Sequence, residues 1–72
     1  MNILKIINEI LDQEELEKLN KLDPSISLTK DLKMDSMMLA ELTVKIEEET
    51  GIDIFENGVV GTIGEILEIL NM

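Results

Sequence analysis

The sequence predicts an all-α fold: a small bundle of three main helices plus one short helix, with a long loop after the first helix. Two observations carry this. Near each end of the chain, apolar residues recur at i, i+3, i+4 and i+7, the spacing of one buried helix face. Each expected main helix also starts after a residue suited to the N-cap, namely Asn2, Asp35 and Thr62. The chain has 72 residues and is read as a single domain over 1–72, in the size range where a core is marginal.

The first helix rests on Ile3, Ile6, Ile7 and Ile10, with Leu4 and Leu11 widening the stripe. Its end is open, because Gln13 to Leu19 is rich in helix formers and the helix can run on or restart there. From Asn20 to Met34 the chain reads as a loop. Pro24 opposes helix and pushes Asp23 toward extended geometry. Leu22, Ile26, Leu28 and Leu32 lack helical spacing and are expected to pin the loop over the core. A loop this long in a small domain is usually functional or well anchored.

The second helix is expected over Ser36 to Thr50, ended by Gly51, which takes a left-handed C′ position without strain. Its apolar residues fall on two faces. Leu39, Leu42 and Ile46 form one stripe, assigned to the core. Met37, Ala40 and Val44 form another, flanked by Glu41, Glu47 and Glu48. The second stripe either packs against the loop or a neighbouring helix, or serves as a docking surface of small apolar contacts ringed by carboxylates. Phe55, the only aromatic residue, is taken as a core plug. The segment from Glu56 to Gly61 has room only for a turn or a brief helix, and its glycines weaken the latter. Thr62 and Glu65 make a capping box, and Ile63, Ile66, Leu67 and Leu70 give the last helix one buried face.

Net charge is −10, from 16 acidic residues and 6 lysines. Such a chain repels phosphate backbones, which weighs against nucleic-acid binding, and is steered toward basic protein surfaces. Hydrophobic content of 44% separates it from a disordered acidic tail. No apolar run approaches the roughly 18 residues of a membrane span. The start has no basic stretch ahead of an apolar one, so no signal peptide and a cytoplasmic location are expected; Met1 favours a natural start, and a monomer is expected. The chain has no cysteine and no histidine. A disulfide framework, a thiolate metal site and the usual acid–base and nucleophilic machinery are therefore missing. The run Glu47-Glu48-Glu49 does not match an EF-hand loop, and Glu49 reads as part of a solvated helix end.

The most informative stretch is Asp31-Leu32-Lys33-Met34-Asp35-Ser36-Met37. Asp35 suits the N-cap, and Ser36 then stands at the positive end of the helix dipole with its hydroxyl exposed. Unpaired N–H groups and the dipole favour a phosphate there, so Ser36 is a good seat for a phosphodiester. Leu32-Lys33-Met34-Asp35-Ser36-Met37, followed by Glu41-Leu42 and Glu47-Glu48-Glu49, resembles the acyl carrier protein signature L-G-x-D-S-L with its downstream E-L and E-E-E. The resemblance runs from Ile3 to Leu70. It implies an acyl-carrier-like bundle and a covalent 4′-phosphopantetheine arm on Ser36, next to Asp35. The arm is received from coenzyme A through a phosphopantetheinyl transferase. It further implies a non-catalytic carrier whose arm thiol holds acyl groups as thioesters, for fatty acid, polyketide or related biosynthesis. Carriers of this kind present the second helix to their enzymes. That favours docking for Met37, Ala40, Glu41, Val44, Glu47 and Glu48, with acyl- or aminoacyl-loading and synthase enzymes bearing basic patches as partners.

Two positions depart from the signature. Lys33 stands where glycine is usual, so either the backbone there needs no positive φ or Lys33 bears strain. Met37 replaces a leucine, a volume-conserving change. The aspartate-serine-methionine variant also occurs among D-alanyl carriers and in secondary metabolism. An aminoacyl, peptidyl or D-alanyl carrier is therefore the alternative within the class, and an unmodified acidic helical adaptor is the alternative outside it.

Overall fold

Helix α1 (Ile3–Gln13) begins where Asn2 leaves extended geometry and its side-chain oxygen accepts from the Lys5 N–H at 3.0 Å. That bond satisfies one donor of the first turn, as a cap must. In the computed structural model, which describes residues 2–56, 58 and 60–71, two further helices follow: α2 (Ser36–Thr50) and α3 (Ile63–Ile69). No strand is present among the described residues, although Ser27 and Thr62 form an isolated antiparallel bridge.

Helix α1 stops at Gln13, and no second helix starts before Leu19. The cause is a Schellman ending. Glu15 takes φ 57, its N–H reaches the Asp12 carbonyl at 3.1 Å, and the Leu16 N–H reaches back to the Leu11 carbonyl at 2.8 Å. Leu16 then packs on the core beside the buried Leu11. The favourable propensity of Gln13 to Leu19 is thus overridden by a tertiary contact. Asn8, on α1, holds the chain that follows. Its amide donates to the Leu19 carbonyl at 3.0 Å and accepts from the Leu19 N–H at 2.7 Å.

The core joins all elements. Helix α1 contributes Ile3, Ile6, Ile7, Ile10 and Leu11, while Leu4 stays half-buried. Helix α2 contributes Met38, Leu42 and Ile46, and α3 contributes Ile63 and Ile66, with Leu67 and Leu70 half-buried against them. The loop buries Leu28, Leu32 and Met34, and Leu22 and Ile26 pack at its edge. Two expectations are refined. Leu39 packs against the core but is only half-buried, and Met38 is the more deeply buried of the two, because the face turned to α1 runs through Met38, Leu42 and Ile46. Phe55 is also half-buried, and the fully enclosed plug after α2 is Ile54.

The expected short helix is not found among the described residues. Asp53 accepts from Phe55 N through its side chain at 2.9 Å and from Glu56 N through its carbonyl at 3.2 Å, and the Gly58 N–H reaches the Phe55 carbonyl at 3.2 Å. Those are turns rather than a helix. Asn57 and Val59, which share that segment, lie outside the described residues.

The loop is fastened to the start of α3. The Leu28 N–H reaches the Gly61 carbonyl at 2.9 Å, and the N–H groups of Ile63 and Gly64 reach the carbonyls of Ile26 and Pro24, each at 3.0 Å. The Thr62–Glu65 capping box starts α3 at the same place. Gly64 is needed there, since a Cβ would lie 2.9 Å from the Pro24 carbonyl oxygen. An Asx turn precedes this seam. The Ser25 N–H donates to the Asp23 carboxylate at 2.9 Å and the Ser25 hydroxyl does so at 2.8 Å. These two bonds hold the Asp23 carboxyl below its ordinary range.

Candidate functional site at the start of helix α2

The approach to α2 is built by one locked turn. The Ser27 N–H donates to the Asp31 carboxylate at 2.7 Å, and the Ser27 hydroxyl accepts from the Lys30 N–H at 3.1 Å. Lys33 then adopts φ 62, and the Met34 N–H returns to the Leu28 carbonyl at 3.0 Å. Leu32 and Met34 on either side of it are buried, whereas Lys33 is exposed. The backbone therefore does require the left-handed region that the signature's glycine supplies, and Lys33 bears the strain.

Asp35 is the N-cap: its carboxylate accepts from the Met38 N–H at 2.9 Å, and its carbonyl accepts from the Leu39 N–H at 3.0 Å. Ser36 is the first helical residue, and its side chain is exposed. Since Asp35 does the capping, the Ser36 hydroxyl is not spent on that task. Buried Met34 and Met38 bracket the Asp35–Ser36 pair and fix where it sits on the surface. The first N–H groups of a helix lack intrahelical partners, and the dipole is positive here. An exposed hydroxyl on such a frame fits a covalently attached phosphodiester.

Met37 is 80% exposed and Val44 is 54% exposed. Ala40 between them is exposed as well, so the three share one outward face of α2, opposite Met38, Leu42 and Ile46. Glu47 and Glu48 are exposed at its rim, and Glu41 is half-buried. Glu48 also borders a shallow depression between α1 and α2, lined by Ile6, Glu9, Lys45 and Glu49. Gly51 ends the helix at φ 76, with its N–H on the Glu47 carbonyl at 2.7 Å.

Among the described residues no group of three carboxylates is placed to hold a metal ion, and no helix is long and apolar enough to cross a membrane. Compared with known families, residues 2–70 match the family model described as the phosphopantetheine attachment site. The chain belongs to that family. The phosphopantetheine-binding domain attaches 4′-phosphopantetheine covalently and is a non-catalytic carrier. Such a carrier works with a phosphopantetheinyl transferase and with synthases in general. Comparison with curated proteins and with solved structures gave no match.

Sequence reasoning missed three features of the candidate site and of the loop that leads to it: the Ser27–Asp31 lock, Met38 as the inward anchor, and the seam between the loop and α3. The lock has a visible signal, a serine followed four residues later by an aspartate. The seam has none beyond Gly64.

Proposed function

We propose that Ser36 carries the 4′-phosphopantetheine arm and that the protein is an acyl carrier, holding acyl intermediates as thioesters for fatty acid, polyketide or related biosynthesis. The observation that carries this reading is the exposed Ser36 hydroxyl on the first turn of α2, directly after the Asp35 cap. On loading, Ser36 Oγ bonds to the phosphorus that bears pantetheine, and the phosphoanhydride of coenzyme A breaks. Adenosine 3′,5′-bisphosphate leaves, and the hydroxyl proton passes to a base of the transferase. The chain has no cysteine, so the working thiol comes with the arm.

Partners dock on Met37, Ala40 and Val44, with Glu41, Glu47 and Glu48 as a rim for basic residues. The exposure of these apolar residues supports this, because the core already takes its own stripe from α2. A net charge of −10 supports faster encounter with basic enzymes, and the cytoplasm is the compartment we propose. An aminoacyl or D-alanyl cargo would use the same seat. Incubation with coenzyme A and a broad-specificity transferase, followed by intact mass, should give one arm per chain. No mass gain would leave the acidic adaptor as the reading. Offering the loaded carrier to fatty acyl-loading and aminoacyl-loading enzymes then separates the two cargo classes.

A further inference from the structure

The methionines around Ser36 differ sharply in access. Met37 is 80% exposed, whereas Met34 is 4% and Met38 is 5% exposed. The chain contains no cysteine, tryptophan, tyrosine or histidine, so methionine is its one readily oxidised side-chain type. Met37 follows Ser36 directly and belongs to the exposed apolar stripe with Ala40 and Val44.

We propose that Met37 is a reversible oxidation site for hydroperoxides, and that its sulfoxide weakens docking at the start of α2. The second half of this rests on the Ser36 reading above. The thioether sulfur attacks one peroxide oxygen. The S–O bond forms as the O–O bond breaks, and the proton on the transferred oxygen passes to the departing hydroxide or alkoxide, which leaves as water or an alcohol. Sulfur loses two electrons and the peroxide gains them. The product is a polar sulfoxide in the middle of a surface that works by being apolar. Leucine, the usual residue of the signature at this position, is inert to this chemistry. Met34 and Met38 are shielded by the core, so the fold survives a dose that converts Met37.

The test treats the unloaded full-length chain with limiting hydrogen peroxide and maps sulfoxides by peptide mass spectrometry. Met37 should oxidise more than about tenfold faster than Met34 and Met38. The treated chain should be loaded by the transferase about three- to thirty-fold more slowly, the cost of desolvating one new polar group. Methionine sulfoxide reductase with a dithiol as reductant, which ends as a disulfide while the sulfoxide oxygen leaves as water, should restore the rate. The Met37→Leu chain, which keeps Met1 and Met72, should load at the same rate before and after peroxide. Equal oxidation of the three methionines overturns the selectivity. An unchanged loading rate after Met37 converts, or an equal peroxide loss in Met37→Leu, overturns the switch. An untreated chain that gains no arm overturns the Ser36 reading and the switch together, while the peptide map still decides the selectivity.

Discussion

Lys33 is the residue where strain and site meet. Its φ of 62 is forced by the buried Leu32 and Met34 on either side, and its own side chain points to solvent. Lys33→Gly should raise unfolding stability by about 1 kcal/mol in urea titration, with circular dichroism unchanged. A midpoint that stays put or falls removes the strain argument. Val44 and Leu42 give a second contrast, since one is 54% exposed and the other fully enclosed. Val44→Asp should cost within roughly 0.5 kcal/mol, as surface changes do. Leu42→Asp should cost about 3 kcal/mol or more, because it empties a core position and buries a charge. Comparable losses in the thermal melt would make the Met37–Val44 stripe part of the core. The sequence already separated these two faces, through the 100° step of a helix. It missed that Met38 is buried more deeply than its neighbour Leu39, which differs by one such step, because only the placement of α1 decides how far each turns inward.

At the scale of elements, the bounds of α2 were legible because both ends carry chemistry: Asp35 as cap and Gly51 in the left-handed region. The end of α1 was not. Its left-handed residue is Glu15 rather than glycine, and the ending depends on Leu16 finding the core. The clamp of Asn8 on Leu19 was equally hidden, since an asparagine on a helix has no preferred distant partner until the loop is in place. Gly64 marks the seam that ties the loop to α3. Gly64→Ala sets a methyl 2.9 Å from the Pro24 carbonyl oxygen and 3.0 Å from its Cβ. It should destabilise the fold by about 1–3 kcal/mol by overpacking, although alanine is the better helix former. A stabilised Gly64→Ala chain would show that the seam gives way freely.

For the whole molecule, charge opposes compaction. Sixteen carboxylates and six lysines share a body of 28 × 22 × 22 Å. Among the described residues one ion pair forms, Lys18 with Asp12 at 3.6 Å, and both side chains are exposed, so it contributes little. Repulsion over such distances is screened once the Debye length drops to about 10 Å, near 0.1 M salt. Sodium chloride should therefore raise the melting temperature from low to moderate concentration, and a steady fall would contradict the repulsion account. The seat of the arm is what a carrier of this family depends on. The most direct measurement is peptide-level tandem mass spectrometry after loading from coenzyme A, on the parent chain and on Ser36→Ala. A single arm on Ser36 is predicted, and none on a Ser36→Ala chain of unchanged helical content. An arm found on Ser25 or Ser27, or one retained by Ser36→Ala, would contradict it.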